Sequence, residues 1–145
     1  MGRNYTVRTR IKKPVSEVFA AVIDSDRLCR YFTDKSSGPL AEGERIIWNW
    51  QDFGDHPVTV TKVVEEQLIE LCLDAGDWNK DEESYPVRVI FEFASLDNGD
   101  TMLSISEAGW RADAAGLKAS YENCGGWQHM AMCLKAYLEY GIDLR

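Results

Sequence analysis

Between Arg45 and Ser106 the chain reads as five strands in succession, with no helical period separating them. That run restricts the fold more than any other feature. From Arg45 to Trp50, Ile46, Trp48 and Trp50 alternate with Arg45, Ile47 and Asn49. Val58 to Glu65 is rich in β-branched residues, and Leu68 to Leu73 supplies the next strand. Val87, Val89, Phe91 and Phe93 then alternate with Arg88, Ile90, Glu92 and Ala94, and Leu103 and Ile105 with Ser104 and Ser106. A period of two places one set of side chains inward and the other outward. Asp52-Phe53-Gly54-Asp55 reads as a turn, and Asn98-Gly99 accepts the positive φ of a tight hairpin. Consecutive strands without alternating helices predict an antiparallel sheet, hence an α+β fold.

The flanking segments supply the helices. Asn4 to Lys13 alternates Tyr5, Val7, Thr9 and Ile11 with basic residues, as a half-buried strand does. Val15, Val18, Phe19, Val22 and Ile23 fall at helical spacing behind Pro14, whose missing N–H is harmless at a helix start. A second short helix starts near Asp26 and carries Leu28, Tyr31 and Phe32. Thr33 to Gly43 reads as a loop, and Asp74 to Tyr85, with Gly76, Lys80, five acidic residues and a lone Trp78, as a polar mobile connection. From Ser120 to Gly141 one face collects Asn123, Cys124, Trp127, Met130, Ala131, Leu134 and Leu138. The other collects Gln128, His129, Met132, Lys135 and Glu139. The Gly125-Gly126 pair inside this helix costs about 1 kcal/mol per residue relative to alanine, which predicts a kink or close backbone packing. The whole pattern, about six strands and three helices, is expected to form one domain over residues 1–145.

Sixteen basic and twenty-four acidic residues give a net charge of −8, a surface that repels nucleic acid and anionic membranes. No apolar run approaches the roughly 20 residues of a membrane helix, and no signal-peptide core precedes the first strand. Cys29, Cys72, Cys124 and Cys133 form no CxxC pair. Free thiols in a reducing cytoplasm are the expectation.

The chemistry-bearing candidates are few. Trp48, Trp50, Phe91, Phe93 and Trp127 occupy inward positions, where they either fill a core or line a cleft beneath the last helix. Glu107 continues the Leu103–Ile105 alternation. An inward carboxylate there needs a partner, a raised pKa or a ligand; if the strand ends earlier, it is solvated. Asn123 and Tyr5 are weaker candidates for orienting a ligand, and Met130 and Leu134 extend the apolar face. Trp78 is a lid, a partner contact or packing against the sheet edge. His56 and His129 make no metal motif, so no metal or cofactor is expected. Cys124 and His129 stand about 140° apart on the helix, too far for a nucleophilic pair. There is no phosphate loop or nucleophile elbow.

Several short stretches carry a resemblance. Pro14-Val15-Ser16-Glu17-Val18-Phe19 after a strand, Leu28 and Tyr31-Phe32, Gly43 opening a strand, and Val63-Val64-Glu65-Glu66-Gln67-Leu68 come in order. Asn98-Gly99-Asp100-Thr101-Met102-Leu103, Gly109-Trp110, Gly126-Trp127 and Leu134-Lys135-Ala136-Tyr137-Leu138-Glu139 follow. Their order and spacing resemble the SRPBCC superfamily, also called START-like or Bet v 1-like, and within it the group related to the activator of the heat-shock-protein-90 ATPase. Two segments depart from that pattern: Asp34-Lys35-Ser36-Ser37 is polar, and the Asp74–Tyr85 connection is long and acidic. The resemblance implies a helix-grip fold, a curved sheet wrapped around the long helix over an internal cavity. It implies no particular substrate; the leading expectation is an apolar or amphipathic small molecule held between sheet and long helix, with a co-chaperone-like module and a cyclase-like enzyme as the alternatives. Glu107 is the acid/base candidate for the last of these.

Overall fold

The computed structural model describes residues 2–145. In chain order the elements are β1 (Tyr5–Ile11), α1 (Val15–Ile23), α2 (Ser25–Leu28), β2 (Lys35–Ser36), β3 (Arg45–Trp50), β4 (Gly54–Val64) and β5 (Leu68–Asp74). They continue with α3 (Ala75–Trp78), β6 (Pro86–Ser95), β7 (Thr101–Ala108) and α4 (Ala114–Tyr140). Among the described residues the strands form one open sheet in the order β1-β7-β6-β5-β4-β3-β2, every neighbour antiparallel. The architecture is the α+β helix-grip arrangement that the run of strands and the resemblance imply.

The sheet has seven strands where the alternation predicts about six. The extra one, β2, is two residues long, too short to carry a period, and lies within the segment that reads as a loop. β1 pairs with β7, Tyr5 opposite Glu107 and Ile11 opposite Thr101, so the first strand closes against the last. A register shift between Val60 and Lys62 interrupts the β4–β5 ladder; such an irregularity bends a strand and increases its twist. Asn98-Gly99 makes the β6–β7 turn, with Gly99 at φ 88°.

The helices form where their apolar positions find the sheet. α1 buries Val18, Phe19, Ala21 and Val22 and packs on β6, where Phe19 meets Phe93 edge-on at 5.2 Å. α4 crosses β1 and β7 and buries Trp127, Met130, Ala131, Cys133 and Leu134. It begins at Ala114, well before Ser120, because Asp113 caps it by accepting from the Gly116 N–H at 2.8 Å. Gly116 is required there: a Cβ would lie 2.0 Å from the Arg111 carbonyl oxygen. Gly141, at φ 66°, ends the helix in the left-handed conformation.

Two local expectations need correction. A Cβ added at Gly125 or Gly126 would meet nothing within 4 Å, so close backbone packing does not account for these glycines, and α4 is continuous through them. The Asp74–Tyr85 connection is pinned at both ends. Asp74 caps α3 through the Gly76 N–H and accepts from Ser84, the Ala75 N–H donates to the Tyr85 carbonyl, and Arg111 stacks over the Tyr85 ring at 4.4 Å.

Candidate functional site

Two adjoining constellations lie beneath α4. The first centres on Glu107, near the end of β7, which is fully buried. Its Oε1 accepts from the Tyr5 hydroxyl at 2.5 Å and the Trp110 indole N–H at 2.7 Å. Its Oε2 accepts from the Trp127 indole N–H at 2.9 Å and the Asn123 amide at 3.3 Å. The inward alternative is therefore the one realised. Four donors from β1, the post-β7 loop and α4 occupy the two oxygens, and no cation is among them. Burial pushes the Glu107 carboxyl above the ordinary carboxylate range, against the opposing pull of these four hydrogen bonds. Burial, followed by the Glu107 charge, raises the Tyr5 phenol far above its usual range, so Tyr5 remains a donor. An indole N–H can only donate, so both tryptophans are matched to an acceptor carboxylate. The arrangement is a clasp holding helix to sheet.

The second constellation is an open pocket of about 580 Å³ beside the clasp. Phe32, Trp50, His56, Trp78 and Trp127 wall it, with Tyr31 deeper and Gly126 on the α4 side. The rings form one connected set. Trp78 stacks on Trp127 at 6.0 Å, Phe32 meets Trp50 edge-on at 5.0 Å, and His56 lies 5.0 Å from Trp78 and 5.3 Å from Trp50. Trp48 sits behind them, buried, 6.2 Å from Trp127, and its indole N–H has no partner among the described residues. The Trp50 indole donates to the Phe32 carbonyl and the Trp78 indole to the Pro57 carbonyl, at 2.8 and 3.0 Å. Those bonds set the ring orientations. Trp78 therefore packs between the interior strand β4 and Trp127 of α4, on the pocket wall and not at the sheet edge.

Asp34, Asp52 and Glu122 stand around the pocket with Arg145. The Arg145 guanidinium donates to the Cys29 and Thr33 carbonyls and to Asp143, and lies 3.6 Å from Asp34. Cys133 Sγ lies 3.5 Å from His129 Nε2, both on the wall. Burial, with the Asp143 charge next, pushes the Cys133 thiol up, so it keeps its proton and is not prepared as a nucleophile.

The structure brings Trp50, Asn123 and Trp127 together on the pocket wall. Trp48, Phe91, Phe93, Met130 and Leu134 are buried in the core and do not line it; Phe91 reaches it only through Trp127, at 5.4 Å. Glu107 stands behind Asn123 and Trp127. Phe32, His56 and Trp78 are wall residues that the sequence pattern does not reveal. Phe32 continues the helical spacing of Leu28 and Tyr31 and so reads as core, Trp78 lies in a segment without periodicity, and His56 belongs to no recognisable motif. The Cys133–His129 pair does have a signal that the Cys124–His129 comparison passes over, since positions four apart share a helix face. Among the described residues no group of acids, histidines and cysteines has metal-site geometry.

The family model described as "Activator of Hsp90 ATPase homolog 1-like protein" matches residues 12–139. The chain belongs to that family. This activator-like domain is also similar to solved structures of the same fold. Protein SSP2350 from Staphylococcus saprophyticus is 22% identical with a TM-score of 0.78, over 97% of this chain and 94% of that one. The Aha1 dimer from Colwellia psychrerythraea is 20% identical with a TM-score of 0.77, over 97% and 98%. DynU16, described as a putative protein in the dynemicin biosynthetic locus, is 19% identical with a TM-score of 0.78, over 94% and 47%. A curated "Probable transcriptional regulatory protein" from Chlorobium chlorochromatii (strain CaD3) is 34% identical over 96 residues, 65% of this chain. The activator-like chain spans about a third of that relative's length, 34%. Among the described residues no helix is long and apolar enough to cross a membrane.

Proposed function

We propose that residues 1–145 form one domain, a cytoplasmic small-molecule-binding module that holds an apolar or amphipathic ligand against the aromatic wall beneath α4. The observation that carries this reading is the ring set itself: Phe32, Trp50, His56, Trp78 and Trp127 around an open pocket of about 580 Å³. Ligand sites run to roughly 300–1,000 Å³ and are mostly apolar with a few placed polar groups. Asn123, committed in part to Glu107, is the wall's amide, and Gly126 leaves the α4 side of the pocket without a side chain. Free Cys29, Cys72, Cys124 and Cys133 fit a reducing compartment. A fluorescence screen with aromatic and lipid-like ligands, read on the wall tryptophans, tests the reading. Binding should weaken at least about tenfold in Trp50→Ala, a loss of about 1.4 kcal/mol. Failure of every ligand, or an unchanged Kd in that variant, removes it.

Family membership supports a second reading, a co-chaperone-like interaction module. Stimulation of the chaperone's ATPase by the purified chain would support it, and none would dispose of it. In the cyclase-like alternative, a substrate group would have to displace one of the four protein donors from which Glu107 accepts.

A further inference from the structure

We infer that the aromatic pocket selects a cationic ligand, an apolar or aromatic body carrying an ammonium group. This rests on the small-molecule-binding reading and specifies the charge of its ligand. Two independent features of the wall point the same way. The faces of tryptophan and phenylalanine rings carry negative potential and attract a cation held within about 6 Å of a ring centroid; Phe32, Trp50 and Trp78 are half-buried wall rings of this kind, while Trp127 is buried and stacked on Trp78. Around them stand three carboxylates, Asp34, Asp52 and Glu122, against one guanidinium, Arg145.

Arg145 does not offset this balance. Its N–H groups are taken by the Cys29 and Thr33 carbonyls and by Asp143, and Asp34 lies 3.6 Å away. An incoming anion would have to displace these partners. The acids are differently placed. The Asp34 carboxylate also accepts from the Gln51 N–H and shares Arg145, so it is largely answered. Asp52 is exposed, and Glu122, on an exposed surface, has the Asn79 amide at 3.5 Å and the Lys118 ammonium at 3.7 Å as its partners. These two carboxylates retain charge to offer a cation. The net charge of −8 adds long-range attraction of the same sign.

Three probes with one ring system test the inference: (naphthalen-2-ylmethyl)trimethylammonium, naphthalen-2-ylmethanol and naphthalene-2-carboxylate. Each is titrated calorimetrically at low and at high salt against the parent, Trp50→Ala and the double variant Asp52→Asn, Glu122→Gln. The expected result is that the ammonium binds at least about tenfold tighter than the carboxylate, or about 1.4 kcal/mol. The gap should narrow with salt, because exposed charges are screened, and narrow again in the double variant. Trp50→Ala should weaken the ammonium. Equal affinities, or a preference for the carboxylate while the alcohol binds, overturn the inference and leave the pocket reading standing. A gap of full size in the double variant also overturns it, since the carboxylates would then not be its source. If none of the three binds, both the inference and the reading beneath it fall.

Discussion

Glu107 carries more of this molecule than any other polar residue, and its chemistry is testable by one atom. In Glu107→Gln the shape is kept but one acceptor oxygen becomes an NH2 group facing N–H or O–H donors. Asn123 can rotate to present its carbonyl; an indole cannot accept. The variant should therefore lose about 1–3 kcal/mol of stability, the cost of leaving a buried donor unpaired, read as a lower urea midpoint. The pH dependence has a definite sign. The folded pKa is raised, mainly by burial, so the folded state holds the proton over a range where the unfolded chain has released it. The contribution of Glu107 is thus greatest below the ordinary carboxylate pKa and declines as pH rises through the raised one. The stability gap between parent and Glu107→Gln should narrow across that window; a gap that widens with pH would contradict the assignment. Glycines give a contrast of their own. Gly116→Ala should destabilise strongly, because its Cβ meets the Arg111 carbonyl at 2.0 Å, whereas Gly125→Ala meets nothing and should stabilise by about 1 kcal/mol in thermal melts.

At the scale of elements, α4 depends on its ends. Asp113→Ala removes the side-chain acceptor of the Gly116 N–H and should cost about 1 kcal/mol, with loss of helicity confined to the first turns; amide exchange of residues 114–119 measures it. The strands and the later turns of α4 are legible in the chain because their periods are long and sit between clear turn signals. Val87, Val89, Phe91 and Phe93 are buried as the alternation requires. The start of α4 is not legible, because Ala114 to Ala119 shows no strong apolar stripe and its signal is one capping aspartate. Nor is the pocket wall. Phe32, His56 and Trp78 reach it from a turn, a strand start and a single-turn helix, and only the three-dimensional path brings them to Trp50 and Trp127. Inward-facing residues such as Phe93 and Leu134 meet other core atoms instead, because pointing inward does not distinguish filling a core from facing an opening.

For the molecule as a whole, protection should follow the sheet order. β6, β5 and β4 lie at the centre of the sheet, while β2 is a two-residue edge. Hydrogen exchange should be slowest in β4–β6 and fastest along β2 and the adjoining loop. Reducing agent should leave the melting temperature unchanged, since all four cysteines are free.

The pairing of β1 with β7 has a consequence for how this protein is born. Tyr5 leaves the ribosome early, yet its hydroxyl waits for Glu107, about a hundred residues later, and the carboxylate in turn waits for Trp127. Until β7 has emerged, β1 has no mate, and until Trp127 follows, the central acid lacks its full set of donors. The decisive closure is therefore postponed until the C-terminal helix has emerged. A nascent chain stalled before Trp127 is left open along the surface that the finished protein hides.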